Sequence, residues 1–237
     1  MKKLLLVVLM VLCASVAMAA NVNVGAGYYS AYVFRGEKLI DNACLVPSIA
    51  LVSDKLELRA TSIYDSKKQA NYRNVYELKF KMDIRKAMMT AGFIAYDQNN
   101  LRADTQEFFV GAEWNGSLHP YVTTYFDMKE GTGSYIRGGI ERQFKSGKQD
   151  KVALGASVGY VINNKYLGLS NGKEFAGFYD GEIYAKASFH TFKHLIVEPV
   201  LSYSFPMSTD GKVAIESMSL QNKANNLYGG LNLLVSF

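Results

Sequence analysis

The sequence predicts an all-β protein, a transmembrane up-and-down antiparallel β-barrel of twelve strands. Three observations point there. Apolar residues recur at every second position along most of the chain, the period at which a strand shows one face to one environment. Short and long polar connections follow one another in alternation. The chain closes on YGGLNLLVSF, with Leu231, Leu233, Val235 and the terminal Phe237 on one parity.

The stretch YELKFKMDIR shows the pattern most plainly. Tyr76, Leu78, Phe80, Met82 and Ile84 alternate with Glu77, Lys79, Lys81, Asp83 and Arg85. One face of this strand meets an apolar phase and the other carries five charges. Similar alternation places strands at 22–35, 44–53, 55–65, 75–85, 87–97, 105–115, 118–127, 134–145, 151–162, 177–191, 194–205 and 226–237. Each has the length of a tilted membrane-crossing strand, roughly 9–11 residues with overhang.

The expected short joins are Ser53-Asp54, Arg85-Lys86, Asn115-Gly116-Ser117, Ser146-Gly147-Lys148 and the corner at Phe192-Lys193-His194. Asn115-Gly116 reads as a hairpin turn, because both residues accept positive φ. The long joins are GEKLIDNA, SKKQANYRN, QNNLRAD, MKEGTG, NNKYLGLSNGKEFA and the segment 206–225. Tight turns at one end and longer loops at the other are the pattern of an outer-membrane barrel. A chain that starts and ends on one side needs an even strand number. Ten strands, with one hairpin outside the membrane, is the alternative count. Closure itself is required, since unpaired backbone groups in hydrocarbon cost several kcal/mol each.

The N-terminus supplies the compartment. MKKLLLVVLMVLCASVAMAA has two lysines, an apolar run at 4–12 and a small-residue close at Ala17-Met18-Ala19. That is the layout of a cleaved secretory signal peptide. The expected division is a signal peptide at 1–19 and one barrel domain at 20–237, in the bacterial outer membrane. Cys13 leaves with the leader, and Leu12 before it does not suit a lipoprotein site. The remaining Cys44 cannot form an internal disulfide. No later stretch reaches eighteen apolar residues, which excludes a transmembrane helix. The formal net charge of +5 falls when Lys2 and Lys3 depart. The remaining charges are scattered rather than blocked, so no nucleic acid is expected as a partner.

Strand parity sorts the side chains. The lipid-facing set includes Val22, Val24, Ala26, Tyr28, Tyr32 and Phe34, and later Leu154, Val158, Ile183, Pro199 and Leu201. Aromatic residues gather at strand ends: Trp114, Phe144, Phe192 and Phe237 near the short turns, Phe34, Tyr64, Tyr76, Phe126, Tyr160 and Phe205 near the long loops. Two such belts fit two membrane interfaces. Arg142 falls on the lipid face near a strand end, where its side chain can snorkel. Pro120 and Pro199 are expected at strand starts or bulges.

The opposite parity collects the charges. The candidate pore-lining residues are Arg35, Arg59, Glu77, Lys79, Lys81, Asp83, Glu107, Tyr125, Arg137, Asp180, Glu182 and Lys186. Eight strands give an interior filled by side chains, and sixteen to eighteen leave an open channel. Twelve lies between. The expectation is a channel for passive diffusion of small hydrophilic solutes. The alternative is a barrel sealed by charges pairing across the lumen, a structural or surface protein. A lipid-modifying enzyme is the third reading. His119, His190 and His194 all lie near short turns, and none sits in a nucleophile motif or at metal-ligand spacing. No catalytic residue, metal or cofactor is expected. Lys67, Lys68 and Arg73 fall in a predicted long loop as solvated charges within reach of lipopolysaccharide phosphates.

The run GYYSAYVFRGEKLIDNACLVPSIAL resembles the opening hairpin of the TorF-like porin family of conserved proteobacterial outer-membrane proteins. Ser30, Tyr32, Phe34, Arg35 and Gly36 match its S-x-Y-x-F-R-G stretch. The glycine-rich second strand of that family is not matched at Leu45-Val46-Pro47-Ser48. The resemblance covers about 25 residues and implies a porin-like role. Arg35 then reads as a lumen salt-bridge partner, the favoured role, or as a residue at the pore mouth. The C-terminal strand is similar to those of outer-membrane barrels, whose assembly machinery is thought to read a terminal Phe. The expected partners are therefore outer-membrane lipid and lipopolysaccharide, that machinery through Phe237, and small polar solutes.

Overall fold

The period of two becomes one closed antiparallel barrel in the computed structural model, which describes residues 21–99, 103–147, 149–169 and 171–237. The signal peptide expected at 1–19 lies outside these residues, as do Lys148 and the centre of the QNNLRAD loop. Twelve strands form the wall: β1 (Asn21–Tyr29), β4 (Cys44–Val52), β5 (Leu56–Asp65), β6 (Ala70–Ile84), β7 (Ala87–Asp97), β8 (Thr105–Trp114), β9 (Tyr121–Asp127), β10 (Ser134–Lys145), β11 (Lys151–Asn164), β12 (Phe175–Phe192), β13 (Leu195–Pro206) and β14 (Asn226–Ser236). Each pairs with its neighbour in sequence, and β1 closes the ring by pairing with β14, Val24 opposite Val235 and Tyr28 opposite Leu231. No sheet edge remains to be satisfied, the condition for crossing hydrocarbon.

The alternation settles which way each side chain points. Leu154, Ile183, Leu201 and Leu227 are between 50% and 68% exposed on the outside. Their inward neighbours Ala153, Ser202 and Asn226 are buried. An exterior this apolar is the signature of a surface made for lipid. Trp114, Phe144, Phe192 and Phe237 are exposed at the short-turn end, and Tyr76, Phe126, Tyr160 and Phe178 nearer the long-loop end. Arg142 lies beside the Phe144 ring, its guanidinium carbon 5.2 Å from the centroid.

Five expectations need correction. The first predicted strand, 22–35, ends at Tyr29, where Ser30 bonds backbone to backbone with Gly229 at 2.9 Å. The chain then turns into the barrel as a two-stranded hairpin, β2 (Tyr32–Phe34) and β3 (Glu37–Ile40), forming a sheet of its own. Its reversal uses positive φ at Arg35 (50°) and Gly36 (83°), a region open to glycine and costly for most other residues. Tyr32 and Phe34 therefore face the interior rather than lipid. Second, SKKQANYRN is mostly strand. The connection is only 66–69, held by Asp65 Oδ1, which accepts the backbone N–H groups of Lys67 and Lys68 at 3.0 Å each.

Third, Asn115-Gly116 is no two-residue turn. The join runs from 115 to 120 with positive φ at His119 (36°), and Trp114 N–H donates to the Pro120 carbonyl at 2.9 Å. Connection lengths at the two ends therefore overlap instead of alternating strictly. Fourth, Pro120 does immediately precede β9, but Pro199 sits mid-strand. The β12–β13 ladder passes from Lys186–Val200 to Phe189–Val197 and skips the pair at Pro199, which has no N–H to give. Fifth, the segment 206–225 folds into a helix, α1 (Thr209–Met218), capped by Ser208 Oγ accepting from Gly211 N–H at 2.9 Å. A 3₁₀ turn, Leu220–Asn222, follows it.

The helix lies over the long-loop mouth and completes a core there. Ala214 and Ile215 pack with Tyr135, Val161, Leu167, Phe175 and Tyr179. Beside it, Leu39 and Ile40 of the hairpin pack with Cys44, Ile63 and Tyr72. Gly159 shows how tightly this end is filled, because a Cβ there would overlap Asp180 Oδ1 and the Tyr135 hydroxyl. Gly159→Ala is expected to destabilise the barrel by about 1–3 kcal/mol, the usual cost of overpacking. Loss of the compact band at lower urea on a semi-native gel would show it, and an unchanged midpoint would contradict the packing.

Candidate functional site: the barrel lumen

Inward parity, closure and the tucked hairpin together divide the lumen into a filled half and an open half. At the long-loop end the plug is built around Arg35. The hairpin turn aims its guanidinium at Glu107 of β8, with bidentate contacts of 2.6 and 2.7 Å. Glu107 also accepts from the Tyr96 hydroxyl at 3.0 Å. The rings of Phe34, Tyr125 and Tyr135 surround the cation, their centroids 4.8, 4.7 and 4.4 Å from its central carbon. Planar, delocalised and weakly hydrated, guanidinium suits such stacking and forked pairing better than ammonium. Arg35 and Glu107 are 7% and 2% exposed, so each depends on the other for its charge to be tolerated.

A second arginine reinforces the plug. Arg73 of β6 is fully buried and donates to Gln98 Oε1 at 2.9 Å and to the hydroxyls of Tyr32 and Tyr166 at 3.2 Å each. It shares the Phe34 ring with Arg35, at 4.6 Å. The expectation of a solvated loop charge at Arg73 is thus overturned. Lys67 and Lys68 do remain exposed at this end. Glu37 is also buried and accepts from the Tyr179 hydroxyl at 2.8 Å. The hairpin meets α1 where Gly36 packs on Ile215, and the Lys38 N–H donates to Ser219 Oγ at 3.0 Å. Asn226 Nδ2 donates to the Gly36 carbonyl at 3.1 Å.

At and below the plug the other predicted lining residues take their places. Asp180 accepts from the Tyr135 hydroxyl at 2.9 Å and is buried against the hairpin. Arg137 pairs with Glu182, which also accepts from the Tyr228 hydroxyl at 2.7 Å. Lys79 pairs with Glu77 at 2.7 Å, and Lys81 with Glu57 at 2.8 Å. Arg59 joins Glu57 at 2.7 Å, and Lys186 meets Glu141 at 2.7 Å. Asp83 is exposed at the short-turn end of β6. The structure thus brings Arg35, Glu107, Tyr125 and Asp180 into one cluster at the plug and spreads the others down the wall.

The short-turn half keeps space. A cavity of about 510 Å³ is lined by inward residues of β1, β4, β5, β13 and β14, among them Tyr29, Arg59, Glu198 and Asn232. A second of about 230 Å³ adjoins it beside Glu141, Lys151, Lys186 and Glu198, the last of which lines both. His119 and His190 lie at the rim beside Glu113 and Asp150, at 3.4 and 3.7 Å. Among the described residues no cluster of three or more His, Cys, Asp and Glu could hold a metal.

Sequence reasoning missed Arg73, Glu37 and α1 as parts of the interior. Arg73 does sit on the inward parity of β6 with Glu77 and Lys79, a signal hidden by reading the polar run as a loop.

No family model matches the chain, and no curated protein matches it in sequence. Solved structures do share its fold. A structure described as the KdgM porin superposes with a TM-score of 0.55 at 11% identity, over 91% of this chain and 99% of that one. One described as the NanC porin gives 0.55 at 11% identity, over 91% and 98%. The COG4313 outer membrane channel from Pseudomonas putida F1 gives 0.53 at 11% identity, over 92% and 96%. At such identity the likeness establishes a shared architecture: this chain has the twelve-stranded barrel fold found in outer-membrane porins and channels.

Proposed function

We propose that this protein is a porin-like channel of the bacterial outer membrane, passing small hydrophilic solutes by passive diffusion, and that the described conformation is its closed form. The observation that carries the reading is the asymmetry of the lumen. A barrel with an apolar exterior encloses a charged interior that is roomy at one end and stoppered at the other. The stopper is a hairpin whose backbone ladder is with itself, so side chains hold it in place. Its withdrawal would break no rung of the wall. The shared fold with structures described as porins, and the SAYVFRG resemblance to the TorF-like family, support the same reading. The apolar band would meet outer-membrane lipid, Lys67 and Lys68 would lie at the lipopolysaccharide level, and Phe237 would end the strand offered to the assembly machinery.

The sealed barrel is the second reading, favoured by the burial of Arg35 and Glu107. Conductance of purified protein in a planar bilayer separates the two. A disulfide lock between Lys38→Cys and Ser219→Cys, positions already 3.0 Å apart from N–H to Oγ, should hold the hairpin on α1. Steps in the wild type that vanish in the oxidised double variant and return on reduction are expected for the channel. Silence from wild type and reduced variant alike would leave the sealed barrel.

A further inference from the structure

We infer that the 510 Å³ lumen cavity is a binding site for uncharged polyhydroxylated solutes of about mono- to disaccharide size. This deepens the channel reading and takes its biological sense from it. The volume falls within the roughly 300–1,000 Å³ of small-molecule sites. The polar side chains that line it include Tyr29, Ser48, Arg59, Thr61, Glu198 and Asn232. Much of their hydrogen-bonding capacity is unspent. Asn232 accepts the Tyr29 hydroxyl at 2.7 Å through Oδ1, leaving its amide N–H groups to donate. Glu198 accepts the Ser188 hydroxyl at 2.6 Å through Oε1, leaving Oε2 to accept. Among the described residues, the Ser48 and Thr61 hydroxyls have no side-chain partner. A set of donors and acceptors in near balance suits a ligand whose groups each do both, which is what a hydroxyl does.

The charges argue against an anion. Arg59 already gives Nε and one terminal nitrogen to Glu57, at 3.0 and 2.7 Å. Lys81 and Lys186 are likewise held by carboxylates. The Glu198 carboxylate has a hydroxyl, not a cation, as its partner. An incoming carboxylate would therefore meet Glu198 in a lining whose one cation, Arg59, is already engaged by Glu57. Apolar Val46 and Leu234 on the same wall offer surface to the C–H face of a sugar ring. The space exists because β1 carries glycines there: a Cβ at Gly25 would stand 2.6 Å from Ser48 Oγ, and one at Gly27 2.7 Å from Asn232 Oδ1.

Saturation-transfer NMR and calorimetry on the folded, detergent-solubilised protein test this with lactose, lactitol and lactobionate. The three share a galactose unit, and only the last carries a carboxylate. Lactose and lactitol are expected to bind and lactobionate to bind at least fivefold more weakly. Asn232→Leu and Thr61→Val should each weaken lactose about fivefold, the weight of one hydrogen bond. A folded protein that ignores lactose, prefers lactobionate, or binds lactose equally in both variants would overturn the assignment. The site opens toward the short turns, so binding is read without transport. Lactose binding by a protein with no conductance would uphold the site and remove the channel. Conductance without lactose binding would remove the site and uphold the channel.

Discussion

Arg35→Ala is expected to raise single-channel conductance severalfold and to lower the barrel's resistance to unfolding. The substitution leaves Glu107, 2% exposed in the parent, without its cation, and an orphaned buried charge costs about 3–5 kcal/mol. The hairpin can relieve that cost by leaving the wall and admitting water. The three aromatic contacts of the guanidinium are lost with it. Pairing the change with Glu107→Leu distinguishes charge from packing. The double variant should recover most of the stability, because an apolar pair can replace a buried ion pair at little cost, yet its hairpin should stay unlatched and its conductance high. Conductance in folded Arg35→Ala equal to the wild type would show that the hairpin is a fixed part of the wall.

The second large effect lies on the outer surface. Leu201 is 56% exposed near the middle of β13, opposite Ala185 and Gly229. In water an exposed leucine can become arginine within about 0.5 kcal/mol. At the midplane of a bilayer the same change costs about 2–4 kcal/mol. Leu201→Arg should therefore shift the urea midpoint for the folded band in lipid vesicles strongly downward. Gln143→Arg, on the inward parity near the short-turn rim, should leave it nearly in place. Equal midpoints for the two variants would mean that the apolar exterior does not face lipid.

Strand parity was readable without coordinates, because it is a local property. Whatever closes the sheet, Tyr76 and Phe80 point one way and Glu77 and Lys79 the other. Closure followed from the same pattern, since a wall apolar on the outside cannot leave an edge unpaired. The pairing partners of the inner charges were not readable. Lys81 meets Glu57 on the next strand, whereas Arg35 reaches Glu107 across 72 positions of sequence, and only the closed ring brings those two together.

SAYVFRG marks the limit most clearly. Tyr32 and Phe34 continue the apolar parity of β1, so alternation extended that strand to residue 35. Lipid and a packed interior both accept an apolar side chain, and a period of two cannot tell them apart. Arg35 and Gly36 carried the only local sign of a reversal. The sequence by itself determined a barrel with an apolar outside and a charged inside. The tertiary structure decided that one end of that inside is filled, because filling depends on which distant side chains meet across the ring.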